Sequence, residues 1–306
     1  MNCVYLYNPN SGKSKYKNKQ KYLIKRLHEK FDIVDYFETK SKEDVNRLAK
    51  EACGYYDAII FSGGDGTVND IVNAVMGEEK QPVLGYLPSG TCNDFARSLS
   101  IPKKLDEALD VIVNGCAKNF DIFKANDKYG VYVCAYGLFT SASYDTEQSK
   151  KRKLGKIAYY FHSFKEIFSC KASDFNVKLY KGESGGELQE FCGKSVLTLL
   201  INSKSVAGYK LNNGVDLHDG EMEFLAVLSK KQRLTFKSLM IICATFLFGI
   251  NWAKKQKCVM YGKFKKCELE FTSNNPVLNI DGENGGVNNC KLVVLKDCLK
   301  VFSAKD

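Results

Sequence analysis

The chain has 306 residues, 44% of them hydrophobic, and a formal net charge of +10. This is an ordinary globular composition, long enough for one large or two medium domains. Its twelve cysteines run from Cys3 to Cys298 without a C-x-x-C pair and are joined by only three histidines (His28, His162, His218), which excludes a legible zinc cluster and leaves reduced, mostly buried thiols of a cytosolic protein.

The opening "NCVYLY" reads as a strand, and no secretory leader is expected. Tyr22, Leu23, Leu27 and Phe31 have helical spacing, and "FDIVDYF" is a second strand. "SKEDVNRLAKEA" starts at Ser41 with Asp44 three residues on, a start like a capping box, and carries Val45, Leu48, Ala49 and Ala52 on one face. "DAIIF" is a short buried-type strand, and Val68, Ile71, Val72, Val75 and Met76 mark the next helix. "PVLGYL" and "NDFARSL" repeat the strand–helix pair. This alternation predicts a mostly parallel sheet flanked by helices.

The texture changes near residues 118–125. "DIFKAN", "GVYVCAYG", "DFNVKLY", "KSVLTLLIN", "EMEFLAVL", "CELEF", "PVLNIDG" and "KLVVLK" read as strands, whereas only "LGKIAYYFHSFKEIF" and residues 231–253 read as helices. An α/β domain over 1–120 and a mainly β domain over 121–306 are therefore expected, with the C-terminal segment free to pack back on the first. The charge-free stretch Ser238–Trp252 is too short to cross a bilayer. It reads either as a buried helix or as one facing lipid at a substrate entrance. Basic runs at 149–156, 230–233 and 254–257 suit an anionic surface or a polyanionic ligand as well as plain solvation. Aromatic residues do not interleave with them, so no nucleic-acid partner is expected.

"NPNSGKS" ends like a P-loop, but Tyr7 stands where the first glycine is required. It is still a turn after the first strand, where Asn8 and Ser11 are candidate nucleotide contacts. "SGGDGT" and "PSGTCND" follow consecutive strands and precede helices. Gly63, Gly64 and Gly66 are expected to allow positive φ and close approach of a ligand. Thr67 is expected to cap the following helix, whose N-terminal amides favour phosphate. An acidic residue, Asp65, in the middle of such a turn needs an explanation.

Together "GGDGTVND", "LPSGTCNDFAR" and the late "IDGE" resemble the diacylglycerol kinase catalytic family, closest to its soluble bacterial lipid-kinase branch. The first motif alone is shared with NAD kinases and phosphofructokinases; the other two favour the lipid kinases. The resemblance implies an NAD kinase/diacylglycerol kinase-like fold in which ATP and lipid meet between two domains. Carried over by motif, it implies ATP contacts at Asn8, Thr39, Gly63, Gly64, Asp65, Gly66, Thr67, Asn69, Gly90 and Thr91. It further implies a general base at Glu283, a supporting acidic network of Asp65, Asp94 and Asp121, and a metal loop "VDLHDGEMEF" with Asp216, Asp219 and Glu221.

The residues agree with that chemistry, since phosphoryl transfer needs positioning and charge neutralisation, and oxygen-only acidic ligands suit Mg²⁺. The expected activity is ATP- and Mg²⁺-dependent phosphorylation of a membrane lipid, foremost diacylglycerol, by a cytoplasmic protein docked at the inner membrane surface. A kinase of a soluble acceptor such as NAD, or a non-catalytic binding protein of the same fold, is the alternative. A homodimer stays open.

Overall fold

The computed structural model describes residues 1–9, 16–138, 171–182, 186–274, 276–287 and 289–305. Ser11 and the expected helix at 154–168 lie outside them. Two compact units result, Met1–Ile122 with Leu295–Asp306, and Phe123–Val294.

In the first unit four strands, β1 (Asn2–Tyr7), β2 (Ile33–Glu38), β3 (Ala58–Gly63) and β4 (Val83–Pro88), lie parallel in the order β2-β1-β3-β4. Helices α1 (Gln20–Leu27), α2 (Lys42–Ala52), α3 (Asp65–Val75), α4 (Asp94–Ser98) and α5 (Leu105–Asn114) alternate with them, and β5 (Cys116–Ala125) follows. All six residues of β3 are buried, as expected of a parallel strand covered on both faces. Ser41 caps α2 by accepting the Asp44 N–H at 3.2 Å, and the helix buries Val45, Ala49 and Ala52. α2 packs beside α3, and α1 beside α5. Near the C-terminus Val301 pairs in parallel with Leu84 of β4.

The second unit is mainly β. It comprises β6 (Lys128–Gly130), β7 (Val133–Gly137), β8 (Ser173–Tyr180), β9 (Leu188–Ile201), β10 (Ser205–Val206), β11 (Tyr209–Lys210) and β12 (Met222–Leu228), then β13 (Val259–Phe264), β14 (Lys266–Phe271), β15 (Val277–Ile280), β16 (Glu283–Val287) and the start of β17 (Cys290–Ser303). Its main sheet is antiparallel, in the order β16-β15-β7-β9-β8-β14-β17, with β12 also on β9 and β13 on β12. Phe175, Phe224, Phe264, Tyr136 and Leu200 are among the buried residues of its core. The expected helical region at 231–253 is two helices, α6 (Phe236–Phe248) and α7 (Ile250–Ala253), broken at Gly249, where φ is +80°. It is not a wholly buried helix: one face of α6 is exposed.

Candidate active site

The parallel strands of the first unit end together, the edge at which open α/β sheets bind ligands. Gly63 closes β3 opposite Pro88 of β4. The Gly63 carbonyl accepts the N–H groups of Ser89 and Gly90 at 2.8 and 3.2 Å, which ties the two glycine turns at their roots. Contrary to expectation, none of Gly63, Gly64, Gly66 and Gly90 has a positive φ. Three of them are small because their surroundings are close. A Cβ on Gly90 would stand 2.5 Å from the Gly64 Cα and 2.7 Å from the Asn93 Oδ1, and one on Gly63 would stand 2.4 Å from the Thr67 Cβ. The turns thus pack main chain against main chain. Gly90→Ala is expected to cost about 1–3 kcal/mol by overpacking, measured by chemical denaturation.

Thr67 is not the cap of α3; the helix starts at Asp65 with Gly64 as N-cap, so Thr67 lies within its first turn. Asp65 points its carboxylate at the other turn. Its Oδ1 accepts the Phe95 N–H at 3.1 Å, and the Asn93 and Asp94 amides also contribute to holding it. The carboxylate in the anion cradle is therefore a strut between the turns. Asn93 sits in the left-handed region (φ 53°) and donates its side-chain amide to the Gly90 carbonyl at 2.9 Å. The buried Tyr86 hydroxyl lies 3.1 Å from both the Gly63 carbonyl and the Asn93 Oδ1, either of which can accept its proton. Tyr86 and Asn93 escaped the sequence reading, and the available signal was a phenol inside the apolar strand "VLGYLP", where a buried hydroxyl needs a partner.

Burial raises the Asp65 pKa above its ordinary 3.8, with the neighbouring Asp94 adding to the rise and the amides of residues 93–95 opposing it. The folded state holds this proton more tightly than the unfolded one, so ionisation of Asp65 costs stability as pH rises from 3.8 through the raised value, and the cost persists above it. Asp65→Asn is accordingly expected to be at least as stable as the parent at pH 7. That advantage should vanish on acidification below pH 3.8, as read from denaturation midpoints across pH.

The remaining expected nucleotide contacts share the edge. Asn8 is half-buried just past β1. Thr39 is buried after β2, and both its N–H and its hydroxyl donate to the Tyr7 carbonyl, at 2.9 and 3.2 Å, so it braces two strand ends. Thr91 is exposed at the tip of the second turn, and Asn69 is buried on α3. Asp94 is buried beside Asp65, whereas Asp121 lies on β5, where its Oδ1 accepts the Asp297 N–H at 2.8 Å.

In the second unit, Asp281 (φ 52°) and Gly282 (φ 89°) form the turn between β15 and β16, and Glu283 is the half-buried first residue of β16. The preceding Asp281 is buried and its carboxylate accepts three backbone N–H groups, from Val131 (2.6 Å), Tyr132 (3.0 Å) and Val133 (2.9 Å). Sequence reasoning missed this anchor, although an aspartate opening the "DGE" turn was its visible trace.

The acidic loop is arranged around a lysine. Asp219 and Glu221 each lie 3.6 Å from the Lys263 ammonium, while Asp216 accepts the His218 N–H of its own loop. Burial lowers the Lys263 pKa, but Asp219, Glu221 and Glu223 more than offset this and raise it. Among the described residues no three acidic, His or Cys side chains are gathered to hold a metal ion. Asp65, half-buried, and Asp94, buried, are the two acidic side chains of the glycine-turn region; a cation such as Mg²⁺ characteristically uses one or two carboxylates and completes its shell with water and substrate phosphate, so these are the residues that could offer it oxygen ligands.

Comparison with known proteins agrees with this architecture. A family model described as the diacylglycerol kinase catalytic domain matches residues 2–125. A protein of Staphylococcus saprophyticus named diacylglycerol kinase is 32% identical over 304 residues, covering 98% of this chain and 95% of the relative. Its namesake in Staphylococcus haemolyticus is also 32% identical, covering 98% and 88%. A solved structure from Bacillus anthracis superposes with a TM-score of 0.77 at 24% identity, over 99% of this chain and 95% of its own, and shows the same fold of an α/β unit followed by a mainly β one. With such identity along nearly its whole length, the chain belongs to the diacylglycerol kinase family and is a lipid kinase.

Proposed function

We propose that the chain transfers the terminal phosphoryl group of ATP to the free hydroxyl of diacylglycerol, giving phosphatidate and ADP. The observation that carries this reading is the pair of glycine turns locked back to back at the C-terminal edge of the parallel sheet, in a chain whose full-length relatives are named diacylglycerol kinase. Gly63, Gly64, Gly66, Thr67, Gly90 and Thr91 present main chain and hydroxyls to the phosphates, while Asn8, Thr39 and Asn69 frame the nucleotide. Glu283 takes the hydroxyl proton as the new P–O bond forms and the bond to the ADP oxygen breaks.

Mg²⁺, when bound, neutralises phosphate charge. Asp65 and Asp94 would hold it, with Asp121 as the further member of the network. In this reading Asp65 both braces the turns and orders the metal side, so Asp65→Asn weakens Mg²⁺-dependent ATP use while keeping the fold.

Among the described residues no helix is long and apolar enough to cross a membrane. The protein is proposed to work from the cytoplasmic side at an anionic membrane surface, to which exposed Lys230, Lys231, Arg233, Lys254, Lys255 and Lys257 are attracted, each by about 1 kcal/mol near the surface. The test is a mass spectrum of a total lipid extract incubated with protein, ATP and Mg²⁺. Phosphatidate is the expected product, formed only with Mg²⁺. Formation of NADP from added NAD in its place assigns a soluble acceptor, and ATP binding without any product assigns a non-catalytic protein.

A further inference from the structure

Helix α6 is arranged inside out. Its buried face carries the hydroxyls of Ser238 and Thr245 beside Ile241 and Ile242. Both hydroxyls are satisfied internally, Ser238 by donating to the Leu228 carbonyl at 3.2 Å and Thr245 to the Ile241 carbonyl at 2.7 Å. The outward face carries the large apolar groups, with Phe236 80%, Met240 54%, Leu247 70% and Phe248 67% exposed. Phe236, Met240, Cys243 and Leu247 follow spacings of four, three and four residues, so they form one stripe along the helix. Tyr209, also exposed, packs edge-on against Phe246, and Phe248 lies beside Trp252, which widens the apolar surface. A contiguous exposed apolar surface of this kind marks a place that is covered in use.

The charges decide what covers it. Lys230, Lys231, Arg233 and Lys237 lie at one end of α6, and Lys254, Lys255 and Lys257 lie beyond the other, all exposed. No aspartate or glutamate occurs between Glu223 and Glu268. In a two-fold contact between copies the same patch is presented by each partner, so these cations would face one another. An anionic bilayer offers acyl chains to the stripe and phosphates to both ends. At 1.5 Å per residue the helix is only about 20 Å long, and it lies in the interface rather than across it.

We propose that α6 is the membrane-inserting element of this protein, seated in the headgroup region of an anionic bilayer with Phe236, Met240, Leu247 and Phe248 among the acyl chains and the flanking lysines and arginine on lipid phosphates. This rests on the lipid-kinase reading only for its purpose; the binding itself is testable without ATP.

The experiment is co-flotation of the full chain with vesicles of phosphatidylglycerol and phosphatidylcholine. It is run for the wild type and for the double variant Phe236→Ser/Leu247→Ser, whose changes are at exposed positions, with circular dichroism melts confirming the fold. The variant is expected to lose on the order of a hundredfold in partitioning, as removal of two large apolar anchors implies. The single tryptophan of the chain, Trp252, should be quenched by brominated acyl chains in the wild type. Equal flotation of variant and wild type, or Trp252 emission indifferent to brominated lipid, overturns the proposal. So does a concentration-dependent dimer that the double variant abolishes while vesicle binding is retained. Turnover of dispersed dioctanoylglycerol by the wild type, assayed without vesicles, reports separately on the lipid-kinase reading: its failure leaves the flotation result standing, and the reverse also holds.

Discussion

Glutamine in place of Glu283 is expected to lower kcat by about 10²–10⁴-fold, the usual contribution of a positioned general base, and to leave ATP affinity unchanged. A lipid hydroxyl is a weak nucleophile, and its attack on phosphorus is helped by a carboxylate that removes the proton as the bond forms. Glu283 is the carboxylate proposed for this role. Asp281 and Gly282 both adopt positive φ, making a tight turn, and Glu283 follows as the first residue of β16, half-buried. Glutamine keeps the size of the side chain and its place in the strand but cannot accept the proton. Steady-state phosphatidate formation gives kcat, and calorimetric titration gives the affinity for ATP. Full activity in this variant would remove Glu283 from the reaction and leave it a residue of the hairpin.

Two residues earlier, a change at Asp281 is expected to act on stability. Its buried carboxylate accepts the N–H groups of Val131, Tyr132 and Val133 at 2.6–3.0 Å. Asp281→Ala leaves three buried donors without this acceptor. At about 1–3 kcal/mol for each buried donor left unsatisfied, the loss is a large share of the roughly 5–15 kcal/mol that holds a domain folded. Asp281→Asn retains one acceptor oxygen and should fall between the parent and the alanine variant. Urea denaturation followed by circular dichroism measures the order. An alanine variant with the parent's midpoint would mean that water replaces the carboxylate at these amides. Two acidic residues of one short motif therefore separate, one by its effect on turnover and the other by its effect on folding.

These cases show what the chain made legible. The alternation of β1 to β4 with helices was readable because each strand is a short apolar run and each helix has a one-sided stripe. The same stripe is present in α5, where Leu105, Ala108, Leu109, Val111 and Ile112 are buried, so this helix too was legible between "NDFARSL" and the strand-rich half. At the glycine turns the residues were identified and their physical reason was not. Smallness at Gly64 and Gly90 serves the contact between two main chains distant in sequence, a tertiary fact that no local φ preference reveals. Asp65 was visible as an acid among glycines, but its direction depends on where residues 93–95 fold back. The anchoring by Asp281 depends on the pairing of β15 with β7, which links residues about 150 positions apart. For α6, the sequence left open whether the apolar stretch is core or lipid-facing. Placement of Ser238 and Thr245 inward and of Phe236 and Phe248 outward separates the two faces.

The acceptor proposed for this lipid kinase is the hydroxyl of diacylglycerol. The most direct test is transfer of label from terminally labelled ATP, in the presence of Mg²⁺, to a mixture of diacylglycerol in detergent micelles and NAD. Labelled phosphatidate is expected with the wild-type chain and almost none with Glu283→Gln. Label in NADP, or label in another lipid while diacylglycerol stays unmodified, would contradict it.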